Sequence, residues 1–161
     1  MDKIILASAS PRRKMLLKQI GIPFDVVVSD VEEEVKLALT PEELVIELSK
    51  QKAINVANSL GEGFLVIGAD TIVVFEGKIL GKPKDKEDAY KMLSMLQGNC
   101  HEVYTGVTII RTKDKQIESD YEKTKVYMRK LSQSIINKYI DTKEPLDKAG
   151  AYGIQEKGGL F

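Results

Sequence analysis

The sequence predicts an α/β domain built on a mixed sheet, and three observations carry that expectation. Short apolar runs of strand length alternate along the chain with longer segments whose apolar residues recur at helical spacing. Two pairs of strand signals are joined by tight turns, at 76–78 and 113–115. Turns so short join antiparallel neighbours, so the sheet is not purely parallel. A chain of 161 residues is long enough to enclose a core as one domain.

The elements follow in order. Ile4, Ile5 and Leu6 read as a buried strand, and Ser8-Ala9-Ser10 as a tight turn with little side-chain bulk. Pro11 then opens a helix that continues through Met15, Leu16, Leu17 and Ile20. Ser10 takes the N-cap, and Pro11 sits at the first helical position, where its missing N–H costs nothing. Residues 24–29 (FDVVVS) read as a strand, followed by an acidic segment at 30–34. Thr40-Pro41-Glu42-Glu43 announces a helix with a Thr cap and a capping box closed by Glu43. Leu44, Val45, Leu48, Ala53, Val56 and Leu60 form its apolar stripe, and Gly61 and Gly63 end it. Residues 64–67 read as a buried strand that Gly68-Ala69-Asp70-Thr71 interrupts before 72–75 resumes it. The turn Glu76-Gly77-Lys78 leads into 79–83, and Asp85 caps a helix that runs to Leu96 and stops at Gly98. Two long strands, 103–111 and 116–129, flank the charged turn, and Ser132 starts a helix reaching Asp141. A glycine-dense tail covers 149–161.

Composition removes several functions. Twenty-four basic and 24 acidic residues cancel, so no global field favours nucleic acid or a membrane surface, and attraction for an anion must be local. No apolar run approaches a membrane span, and the first residues do not resemble a secretory signal. A single cysteine, Cys100, excludes an intrachain disulfide and fits a reducing compartment; a cytoplasmic location is expected. The only histidine, His101, is its neighbour, and two consecutive strand residues diverge, which argues against a Cys–His nucleophile pair. Zinc of the Cys/His type lacks ligands. A hydrolytic site here must use carboxylates, lysines and arginines, the groups that handle phosphates and hard cations.

Each candidate carries two readings. Arg12 and Arg13 in the first turn of a helix are either solvated surface or an anion cradle. Two cations at the positive end of the helix dipole oppose it, which favours an external anion. The segment is not a P-loop. Asp70 sits in the apolar stretch VIGADTIVVF, where a charge must be paired, metal-bound or hydrogen-bonded to a turn. Thr71 contacts a ligand or packs as a β-branched strand residue. Lys52 and Lys82 touch phosphate or are solvated. Glu32, Glu33 and Glu34 form a wet loop, or one of them joins Asp70 around Mg²⁺ or Mn²⁺. Gln155 reads a base edge or phosphate, or bonds nearby backbone.

Three blocks together decide among these readings. LASASPRR at 6–13, GADT at 68–71 with Gly81-Lys82-Pro83 behind it, and DKAGAYGIQ at 147–155 jointly resemble the Maf family of nucleoside triphosphate pyrophosphatases. The likeness also covers VEEE at 31–34 and EPLDKAGAYGIQ at 144–155. It implies a twisted mixed sheet flanked by helices, with two lobes around a substrate cleft, as in the ITP-type pyrophosphatases. Residues 1–161 would form a single Maf-like domain without the further strand, Gly-Leu-Pro turn and closing helix that members carry beyond GGLF. The resemblance makes Asp70 the catalytic proton acceptor and a metal contact, with Glu33 a second carboxylate near the metal. It makes Ser8, Arg12, Arg13, Lys52 and Lys82 triphosphate contacts. Arg12, Thr71 and Gln155 match the positions that separate subfamilies, and these residue types resemble the branch acting on dTTP and UTP, with CTP and modified pyrimidine nucleotides as further substrates. A divalent cation, Mg²⁺ or Mn²⁺, is the implied cofactor, and a homodimer is compatible with the family. The competing readings are a nucleotide-binding regulatory module of cell division without turnover, and a phosphatase or kinase for another phosphorylated metabolite.

Overall fold

The computed structural model describes residues 2–31 and 39–161. The elements run β1 (Lys3–Leu6), α1 (Pro11–Gln19), β2 (Asp25–Val26), α2 (Pro41–Asn58), β3 (Phe64–Phe75), β4 (Lys78–Leu80), α3 (Lys86–Leu96), β5 (Cys100–Arg111), β6 (Ile117–Tyr127) and α4 (Gln133–Asp141). Three short 3-10 turns, Glu144–Asp147, Ala149–Ala151 and Lys157–Leu160, complete the chain. The sheet order is β2-β1-β3-β5-β6, with β4 paired to β3. β1 pairs in parallel with both β2 and β3, while β4 is antiparallel to β3, so the sheet is mixed as expected.

The chain divides into two compact units. One comprises Met1–Asp70 and Thr105–Glu122, the other Thr71–Tyr104 and Lys123–Phe161, so β3, β5 and β6 each contribute to both. In the first unit, Ile5, Ala7, Val66 and Ile110 of the sheet pack with Ala53 and Val56 of α2. The stripe read from sequence is the face used: Leu44, Val45, Leu48, Ala53 and Val56 are all buried. The capping box forms, with Glu43 N–H donating to Thr40 Oγ1 at 3.3 Å and Thr40 N–H to Glu43 Oε2 at 2.9 Å. In the second unit, α3 contributes Ala89, Met92, Leu93 and Leu96, and α4 contributes Ile136, Tyr139 and Ile140, to a core with Val73, Met128 and Tyr152.

Three expectations need correction. β3 is not interrupted at 68–71 but runs unbroken through Gly68 and Asp70. Gly68 serves the approach of α2 rather than a break: a Cβ there would lie 2.8 Å from Ala53 N and 2.9 Å from Ala53 Cβ. The strand expected over 24–29 is only Asp25–Val26, because β1 offers it only a two-residue register, Ile5 with Asp25 and Leu6 with Val26. Ser10 occupies the N-cap of α1, but its side chain makes no cap bond. Met15 and Leu16 of α1, and Ile20 at its C-cap, are exposed.

Candidate active site

The first unit builds its site from the topology of β1 and β3. β1 is followed through α1 by β2 on one side, and the chain then crosses through α2 to β3 on the other. In such parallel arrangements ligands bind beyond the carboxyl ends of the strands, at the point where the order reverses. The register aligns Leu6 with Ile67, and Ala7 N–H donates to the Ile67 carbonyl at 2.8 Å. The 8–10 turn and the Gly68–Asp70 stretch therefore leave the paired strands side by side.

Ser8 is 7% exposed, and its hydroxyl organises the turn. Oγ accepts Ser10 N–H at 3.2 Å and Arg13 Nη1–H at 3.1 Å. The hydroxyl thus ties a guanidinium to the loop that opens α1, and Arg12 is half-buried beside it. Backbone N–H groups of a first helical turn, with two permanent cations on it, attract phosphate oxygens.

Asp70 lies on the face of β3 that α2 covers, two residues beyond Gly68, so both side chains share that face. The missing Cβ at Gly68 lets the 49–53 turn of α2 press on the strand, and this brings Lys52 onto Asp70. Lys52 Nζ donates to Asp70 Oδ1. The pair is well shielded, at 17% and 12% side-chain exposure. The charge that looked costly in an apolar strand is therefore neutralised, which is what keeps a carboxylate in such a stretch.

The same helix is anchored by a chain of hydroxyls. Ser49 Oγ donates to the Ile46 carbonyl at 2.8 Å and lies 2.8 Å from Thr108 Oγ1, which lies 2.9 Å from Ser119 Oγ. Ser49 and Thr108 have no exposed surface. At Gly106 of β5 a Cβ would stand 2.9 Å from Ile46 N, a second close approach of α2. Neither Gly68 nor the Ser49–Thr108 bond was anticipated. The signal available for Gly68 was a lone glycine inside a strand pattern, which marks close backbone approach as readily as interruption.

The second unit carries Thr71, Lys82 and Gln155. Thr71 is half-buried in β3, while Lys82 and Gln155 are exposed. The two loops that hold the latter are joined at the backbone, Gly150 N–H donating to the Gly81 carbonyl at 3.1 Å. Gly150 has φ 68°, and a Cβ there would sit 3.0 Å from both γ carbons of Val73. Glu33 lies outside the described residues. Among the described residues no group of three or more His, Cys, Asp or Glu converges as a ready-made metal cage. The oxygen donors at the site fit instead a hard cation that takes one or two carboxylates and completes its shell with phosphate oxygens and water.

The family model described as "Maf-like protein" matches residues 3–161. The chain belongs to the Maf family. A dTTP/UTP pyrophosphatase of Alkaliphilus oremlandii is 52% identical over 161 residues, covering all of this chain and 83% of that protein. A protein of the same name from a Thermoanaerobacter species is 54% identical over 159 residues, covering 99% of this chain and 83% of that one. Among solved structures, the Staphylococcus aureus Ham1 protein aligns with 78% of this chain and 71% of its own, at 19% identity and a TM-score of 0.52. That likeness concerns the fold, and it agrees with a mixed sheet flanked by helices.

Proposed function

We propose that the chain hydrolyses nucleoside triphosphates, dTTP and UTP foremost, to the nucleoside monophosphate and pyrophosphate. The observation that carries the reading is the shielded Asp70, held by Lys52 in the part of β3 that lies beyond its pairing with β1, where β1 gives way to the Ser8–Arg13 turn. The names of the relatives support the same substrates.

The residues divide the work by chemistry. Water attacks at the anhydride between the α- and β-phosphates; the new P–O bond forms as the bridging bond breaks, and pyrophosphate leaves with its electron pair. Asp70 accepts the proton of the attacking water, with Lys52 setting the carboxylate's orientation. General-base assistance of this kind is worth ~10²–10⁴ in rate. Arg12, Arg13, Lys82 and the backbone of the first turn of α1 hold phosphate oxygens. They strengthen their hold as charge moves onto the leaving group, which is where such contacts accelerate rather than merely bind. Asp70 and Glu33 would hold Mg²⁺ or Mn²⁺, which would supply further neutralisation of the triphosphate when bound. Arg12, Thr71 and Gln155 select the nucleotide.

A regulatory module that only binds nucleotide has no use for a shielded carboxylate paired with lysine beside a phosphate cradle. The deciding experiment is pyrophosphate release from a panel of triphosphates with Mg²⁺ or Mn²⁺. Metal-dependent release from dTTP and UTP, with the monophosphate as co-product, is expected. Tight binding without release would replace the reading with the regulatory module, and orthophosphate without pyrophosphate would replace it with a phosphatase.

A further inference from the structure

Lys148 has no part in the chemistry above, yet the fold buries it: 4% of the residue is exposed. A buried ammonium is tolerated only when acceptors meet its donors. Nζ donates to the Glu144 carbonyl at 2.7 Å and to Asp147 Oδ1 at 2.8 Å, and it stands 3.6 Å from Glu156 Oε2. Two of these partners precede it in the chain and one follows, so the side chain spans the loop from 144 to 156.

The loop is wound around this one residue. The Lys148 carbonyl accepts Ala151 N–H at 3.0 Å. The chain then bends through two successive left-handed residues, Gly150 at φ 68° and Ala151 at φ 63°, a conformation an alanine adopts only where its surroundings hold it there. The lysine stem passes against Gly153, where an added Cβ would lie 3.0 Å from Cδ and 3.1 Å from Cε. Gln155 is exposed and sits between Gly153 and Glu156, both of which approach Lys148.

We propose that Lys148 is a positioning residue for the nucleotide, fixing the 153–156 turn so that Gln155 presents its amide to the base in one orientation. The inference rests on Gln155 contacting substrate as set out under the proposed function. An amide free to sample many orientations discriminates poorly between bases, because it can turn to bond the wrong base edge as well as the right one.

The test is a double-mutant cycle on the full chain, with UTP and GTP as probes and pyrophosphate release as the signal. Lys148→Met keeps the unbranched stem against Gly153 and deletes the ammonium. It is expected to lower the UTP-over-GTP ratio of kcat/KM by about tenfold, through KM for UTP rather than kcat. The double variant Lys148→Met/Gln155→Ala is expected to be no less selective than Gln155→Ala alone, the mark of two residues acting through one contact. Lys148→Arg, which retains a cation, restores part of the ratio. An unchanged ratio in Lys148→Met, or independent losses in the double variant, overturns the proposal. Should Lys148→Met fail to fold, Glu156→Gln removes the forward partner at a part-exposed carboxylate. It must lower the same ratio at unchanged Tm, and an unchanged ratio there overturns the proposal as well. Wild-type protein that releases no pyrophosphate from UTP sinks this inference and the proposed function together, whereas an active wild type with independent losses sinks this inference alone.

Discussion

Asp70 and Arg12 have different roles in the proposed reaction, and substitutions separate them. Asp70→Asn keeps the shape and removes the proton acceptor, so turnover should fall by about 10²-fold or more while nucleotide binding persists. Rates near wild type would remove Asp70 from the chemistry. Arg12→Ala should lower kcat/KM unequally for UTP and a purine triphosphate if Arg12 selects the nucleotide; an equal drop would leave it a phosphate anchor. Away from this site, His101 is 2% exposed, with Nε2 2.6 Å from Tyr152 Oη and Nδ1 buried without a hydrogen-bond partner. Burial pushes its pKa below the ordinary histidine value, and burial pushes the Tyr152 hydroxyl up to about 12. His101 therefore takes up a proton less readily in the folded state than in the unfolded chain. The stability tied to a neutral His101 is fully present above about pH 6.5 and is lost as the pH falls from there through the folded value. Wild-type Tm should thus drop more on acidification across this window than that of His101→Gln. Equal slopes would show that His101 does not contribute.

At the scale of elements, the contact between α2 and the sheet is the sensitive feature. Gly68→Ala would set a methyl group against Ala53 N and Cβ, which are backbone and a helix-bound methyl rather than a flexible chain end. The helix must shift, at a cost of about 1–3 kcal/mol for overpacking, and Lys52 moves with it. The expected outcome is a joint loss of denaturant midpoint and of kcat. Unimpaired turnover would mean that Lys52 reaches Asp70 without the close approach. Thr108→Val keeps the shape but removes the hydroxyl that bridges Ser49 and Ser119. It should cost about 1–3 kcal/mol as the buried Ser49 hydroxyl loses a partner, seen in denaturant unfolding with activity changed less than in Gly68→Ala.

At the scale of the molecule, the proposed reaction calls for a divalent cation beside the triphosphate. Among the described residues no cluster of three or more ligating side chains stands ready, and the proposed reading has the cation complete its shell with phosphate oxygens of the substrate. Chelation by EDTA should abolish pyrophosphate release, added Mg²⁺ or Mn²⁺ should restore it, and the Tm of nucleotide-free protein should hardly move. A large fall in Tm on chelation would point to a structural metal instead. Among the described residues no helix is long and apolar enough to cross a membrane.

Much of this was legible in the residues themselves, wherever the physics is local. The capping box at Thr40, the apolar face of α2, the Glu76-Gly77 turn and the β1–α1 turn with its arginine pair each depend on neighbours a few positions away. The family resemblance likewise offered Asp70, Lys52, Lys82 and Gln155 as candidate site residues. What tertiary structure alone decided are contacts between residues far apart in the chain. Gly68 is a landing place for α2 and not a break in β3, because a missing Cβ matters only when another backbone arrives. Ser8 rather than Ser10 holds the turn, because the register of β1 on β3 sets its direction. Lys148 reads in sequence as one more charged residue before a glycine-rich loop, and it is buried only because that loop folds back over it. Periodicity and capping are written in the order of the residues, whereas burial and pairing are set by which distant segments the packed chain brings together.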